Sequence, residues 1–108
     1  MDFKEYQVRS AETAIYPTTP PLNWAYPLIG LSGEVGELSN KLKKVMRDKI
    51  DLDQLRIPIS HEIGDVLWYI SQLANELDLS LDHIAMENIN KLESRKKRGH
   101  IGGDGDNR

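Results

Sequence analysis

Apolar residues recur along most of this chain at intervals of three and four, the spacing that lines one face of a helix. Leu28, Leu31, Val35, Leu38, Leu42, Val45 and Met46 predict a long helix that starts near Pro27 and ends around Arg47-Asp48. Ile59, Ile63, Val66, Ile70, Leu73 and Leu77 predict another, beginning around Pro58–Ser60. A further stripe of Leu81, Ala85, Ile89 and Leu92 follows Ser80, a good cap, with Leu79 and Ile84 placed to staple the start. This helix is expected to fray through Arg95–Arg98. At the other end, Asp2-Phe3-Lys4-Glu5 has capping-box spacing and predicts a first helix to about Ile15, stopped by Tyr16-Pro17. The proline-rich stretch Thr18–Asn23 reads as a loop, and residues 49–57 as a connection with one short turn at Asp53–Arg56. No segment alternates as a strand does. The expected fold class is all-α, a four-helix bundle over residues 1–98. The glycine-rich tail 99–108, with four glycines, reads as mobile.

Composition narrows the chemistry. A chain of 108 residues makes one small domain and buries only roughly 60–65% of its unfolded surface. With 39% hydrophobic residues and a mean hydropathy of -0.52, its core should be thin, so subunit association is expected to add burial. No apolar run is long enough to span a membrane, and the acidic start is no signal peptide. The absence of cysteine excludes disulfides, thiolate catalysis and Cys-ligated metals, and makes the cytoplasm the expected compartment. A net charge of -3 is no nucleic-acid footprint.

The acids, however, are organised. Glu34 and Glu37 lie three apart on the second predicted helix, beside Leu31, Leu38 and Val45. Glu62 and Asp65 lie three apart on the third, beside Ile59, Val66 and Leu73. Antiparallel packing through those stripes would gather four carboxylates at one seam, where either their pKa values rise or cations neutralise them. An all-oxygen donor set favours Mg²⁺, with Mn²⁺ as substitute. Gly33, Gly36 and Gly64 sit among these acids and suggest a close approach by another helix or a ligand. Ion pairing of Glu37 with Lys41 at i+4 is a competing use of that residue. On the fourth helix Asn88, Lys91 and Arg95 form a polar and basic row suited to phosphate oxygens; Arg95-Lys96-Lys97-Arg98 also suits the helix dipole. Trp24 and Tyr26 are candidates to stack on a base or to anchor a core or interface, and Gln7 and Asn23 could read a base edge. Trp68 and Tyr69 are assigned to packing. A di-iron bundle is disfavoured, because no histidine follows a glutamate by three.

Gly33-Glu34-Val35-Gly36-Glu37-Leu38 and, after a 24-residue gap between the acid pairs, Glu62-Ile63-Gly64-Asp65-Val66-Leu67-Trp68-Tyr69 resemble the MazG-like nucleotide pyrophosphohydrolases. Asn88 through Arg95 is similar to the family's fourth-helix pattern, and the ending Arg98-Gly99 through Asn107-Arg108 resembles short phage or bacterial members. The resemblance implies hydrolysis of a nucleoside triphosphate between its α- and β-phosphates. It implies Mg²⁺ ligation by Glu34, Glu37, Glu62 and Asp65; from the charges, one carboxylate, Glu34 or Glu37, is expected to position the attacking water or accept its proton. It also implies nucleotide contacts from Asn88, Lys91 and Arg95, and a homodimer or homotetramer with sites near subunit interfaces. A non-catalytic helical interaction module and a hydrolase of an alarmone such as ppGpp are the alternatives.

Overall fold

The computed structural model describes all 108 residues as four helices with no strand. They are α1 (Phe3–Ala11), α2 (Leu22–Asp48), α3 (Leu52–Glu76) and α4 (Leu81–Lys97). Each start has a local cause. Asp2 accepts the amide of Glu5 at 2.8 Å, Asp51 that of Asp53 at 3.0 Å, and Ser80 that of His83 at 3.2 Å. Side-chain oxygens thereby satisfy amides that a helix start leaves unpaired.

Three boundaries differ from the sequence expectation, and proline explains two of them. The two long helices begin at Leu22 and Leu52, so Pro27 and Pro58 lie inside them rather than at their starts. Thr19 and Pro21 carbonyls accept the amides of Leu22 and Ala25, and Asp51 caps α3. Helix is therefore nucleated before each proline, which forfeits one i−4 bond. The connection between α2 and α3 shrinks to residues 49–51, turned by Lys49 at φ 52°. The first helix stops at Ala11 instead of Ile15, because Thr13 and Ala14 amides close shorter turns onto Ser10 and Ala11 carbonyls.

The two long helices form an antiparallel hairpin. Asn23 donates to Glu76 at one end, and Lys41 pairs with Glu62 further along. Between them Tyr69 lies across Gly30, so close that a Cβ there would sit 2.7 Å from ring atom Cδ1. Gly30, unlike Gly33, Gly36 and Gly64, is therefore the glycine that close approach demands; those three face open space. Leu31, Leu38 and Val45 of α2, and Ile59, Val66 and Leu73 of α3, are half-buried. Each set repeats every seven residues, as a packed helix seam requires. A second pair of seven-residue series stays open: Leu28, Val35 and Leu42 on α2 are 43–45% exposed, and Ile63, Ile70 and Leu77 on α3 are 37–53% exposed.

Docking of α1 on α3 is polar. Ser10 Oγ and Ser71 Oγ share a 2.8 Å hydrogen bond, and Gln72 Nε2 donates to Ser10 Oγ at 2.9 Å. Ser71 and Gln72 are essentially inaccessible to water. Gln7 pins the turn into α4, donating to Leu79 O and accepting from Leu81 N at 2.7 Å. Tyr16, stacked on Tyr26 at 5.2 Å, donates to Glu76 at 2.6 Å, and Trp68 donates to Thr13. Gln7 is thus occupied structurally and is not free to read a base, whereas Asn23 Oδ1 is buried without a partner. The fourth helix packs on α1 and α3 only near its start, where Leu79, Leu81 and Ile84 meet Ile70, Leu73, Ala74 and Leu77 around a 150 Å³ apolar cavity. Ala74, Leu81 and Pro27 are the only buried apolar side chains. The radius of gyration, 16.9 Å, exceeds the roughly 13 Å of a compact chain this long. The protomer is an open bundle.

Ser10→Ala removes one oxygen yet strands the inaccessible amide of Gln72 and hydroxyl of Ser71. A loss of about 1–3 kcal/mol is expected in urea unfolding at fixed protein concentration.

Candidate metal and phosphate site

The antiparallel hairpin brings acids on consecutive turns of α2 and α3 to one level. One carboxylate oxygen each from Glu34, Glu62 and Asp65 lie within 4.8 Å of one another. Glu34 and Glu62 are half-buried, and Asp65 is exposed. Burial pushes the Glu34 carboxyl above its ordinary value of 4.5. The charge of Asp65, a hydrogen-bonding contact with Glu62, and the charges of Glu62 and Glu37 push the same way. Lys41 Nζ, 3.3 Å from Glu62 Oε1, offsets one charge of the three. A clustered, under-neutralised, all-oxygen donor set fits a hard divalent cation.

Of the four acids singled out in the sequence, the hairpin gathers three. Glu37 stands one turn further along α2, exposed, and contributes the smallest push on Glu34. The i+4 pairing of Glu37 with Lys41 does not form; Lys41 crosses to Glu62 instead. Sequence spacing along one helix could not show this, because the partner lies on another.

Two further side chains adjoin the cluster. Burial raises the Tyr69 hydroxyl pKa, with nearby Tyr26, Glu34 and Asp65 adding to it. Burial and then Asp65 raise that of Tyr6. Tyr69 does pack as expected, edge-on to Trp68 at 5.0 Å, but its hydroxyl also belongs to the surroundings of the acids. The clue in the sequence is its position four residues after Asp65, on the same helix face.

The basic row is elsewhere in the protomer. Asn88 and Lys91 line a shallow groove of about 490 Å³ along α4, with His83, Ile84 and Glu87. No cavity includes Glu34, Glu62 or Asp65. Within a single chain the acids and the basic row line no common cavity, and α4 packs on the bundle mainly near its start. Trp24 is also apart: ten residues before Glu34, it lies about 15 Å away along α2, 40% exposed and without an aromatic partner.

Arg95 departs furthest from expectation. It is 4% exposed, covered by the 99–108 segment rather than open to solvent. Its Nη2 donates to Asp106 O at 2.7 Å and to Gly105 O at 3.3 Å. That segment, read from sequence as mobile, lies folded back along the end of α4.

Comparison with known proteins supplies the family. The model of the MazG nucleotide pyrophosphohydrolase domain matches residues 27–100, a span that contains both acid pairs and the row on α4. Gene 37 protein of Mycobacterium phage L5 is 46% identical over 109 residues, covering 95% of this chain and 96% of the relative. No solved structure matches the chain. With a domain match over more than half its length and a near full-length relative, this chain belongs to the MazG nucleotide pyrophosphohydrolase family.

Proposed function

We propose that the protein hydrolyses nucleoside triphosphates, ribo or deoxyribo, to a monophosphate and pyrophosphate, with Mg²⁺ held by Glu34, Glu62 and Asp65 and by Glu37 from the adjoining turn. The observation that carries this is the convergence of Glu34, Glu62 and Asp65 in a chain of this family. A divalent ion bound there would offset phosphate charge and lower the pKa of a water. The remaining work falls to side chains. Glu34 or Glu37 accepts the water's proton. Lys91 and Asn88 bind phosphate oxygens, and Arg95 supports them, offsetting charge on the departing pyrophosphate. The absence of any helix long and apolar enough to cross a membrane fits work on a dissolved nucleotide, in the cytoplasm.

The same proposal requires assembly. Leu28, Val35 and Leu42 beside Ile63, Ile70 and Leu77 form an apolar face on the hairpin that a second copy would cover, and α4 reaches an acidic seam only by way of a neighbouring subunit. A homodimer, or a homotetramer built from it, completes both the core and the site.

Three outcomes are expected. Assayed against the eight common NTPs and dNTPs, with ppGpp alongside, the protein releases pyrophosphate with monophosphate from the triphosphates in a Mg²⁺-dependent manner; orthophosphate alone would overturn the reaction class. Glu34→Gln lowers turnover by about a hundredfold and abolishes the rise in Tm that Mg²⁺ gives the wild type. It also flattens the metal-free pH dependence. A raised folded-state pKa contributes stability that is full below 4.5 and lost as pH rises through the raised value, so the wild type gains more Tm than the variant as pH falls from neutrality toward 4.5. Finally Ile63→Glu, at a site 53% exposed in the protomer, yields monomers by light scattering, whereas a free surface would tolerate it.

A further inference from the structure

The 99–108 segment is a built element. Arg108 forms its centre: Nε donates to Gly102 O at 3.0 Å, Nη2 to Ile101 O at 3.0 Å, and Nη1 to Gly105 O at 2.6 Å. Gly103 and Gly105, at φ +96° and +84°, supply the left-handed backbone this tight path needs. Arg98 secures the far end, donating to Arg108 O at 2.7 Å. The loop so folded turns the carbonyls of Gly105 and Asp106 onto Arg95 Nη2. Asp106 Oδ1 then stands 3.7 Å from Lys91 Nζ and 3.8 Å from Arg95 Nη2. Both separations exceed hydrogen-bond length, and the Asp106 side chain is 89% exposed, so this carboxylate is loosely held. Arg95 Nε is buried with no acceptor, an arrangement that costs free energy.

We infer that Lys91 and Arg95 form an anion seat for a phosphoryl group, that the Asp106 carboxylate stands in for the anion in the free protein, and that Arg108 is a positioning residue that builds the seat by folding the clasp over Arg95. The inference rests on the proposal that α4 meets the phosphates of the substrate, and adds to it the residues that prepare α4 for them. A phosphate brings more charge and more oxygens than Asp106, so it makes charge-assisted hydrogen bonds where the carboxylate makes loose pairs. Because the main-chain carbonyls already fix the guanidinium, little of its rotamer freedom remains to be lost on binding. The exchange moves one exposed side chain and leaves the clasp folded.

Binding of inorganic pyrophosphate to the full chain, followed by calorimetry with Mg²⁺ present, tests this. Arg108→Ala is expected to weaken binding about tenfold, while Tm and the Tm shift with Mg²⁺ alone stay unchanged, since the clasp touches only the end of α4. Asp106→Asn is expected to bind as the wild type does or a few-fold tighter. In Arg95→Ala the further change Arg108→Ala adds nothing, because the clasp acts through Arg95. Binding by Arg108→Ala within twofold of wild type, weakening by Asp106→Asn beyond twofold, or losses that multiply in the double variant would each overturn the seat, as would a wild type that binds no pyrophosphate. A wild type that binds pyrophosphate but turns over no triphosphate defeats the catalytic proposal and leaves the seat standing.

Discussion

The antiparallel contact between α2 and α3 is the constraint on which the rest depends. Its seam is narrow: one apolar residue every seventh position on each helix, with Gly30 admitting the Tyr69 ring. That geometry sets the helices in a register in which Glu34 faces Glu62 and Asp65. A slip by one turn of either helix would separate them by about 5 Å. Burying apolar surface is thus inseparable from concentrating negative charge. The repulsion is tolerated because Asp65 remains in water and Lys41 reaches across to Glu62.

Much of this was legible in the sequence, because heptad-spaced apolar residues and acids at i, i+3 are properties of a single helix. The half-buried series Leu31–Leu38–Val45 and Ile59–Val66–Leu73 were identifiable by periodicity alone, as were the capping oxygens of Asp2 and Ser80. Proline misled at Pro27 and Pro58, since its local penalty says where a helix loses a bond but not whether it was already nucleated upstream. Asp51 was the overlooked signal: an acid two residues before Asp53 is an ordinary cap.

What the sequence hid are partnerships between positions on different elements of the chain. Lys41 chooses Glu62 over Glu37, Gln7 serves a turn more than seventy residues away, and Arg95 is enclosed by carbonyls ten and eleven residues downstream. Glycine richness suggested freedom in 99–108, yet two of those glycines are what permit the fold around Arg108. Composition reports average flexibility and is blind to one arginine able to satisfy three carbonyls at once.

The polar joint between α1 and α3 has a consequence for motion. A helix docked by Ser10, Ser71, Gln72 and Gln7 loses hydrogen bonds that water can replace when it lifts, and little oily surface is laid bare. The hairpin has no such exit, because parting its seam exposes leucine, isoleucine and valine. Amide exchange should therefore be hierarchical, with α1 opening as its own unit well before the hairpin. Tyr6 travels with α1, so each opening also changes the surroundings of Asp65. The molecule carries a removable wall beside its acids, held by directional bonds rather than by grease.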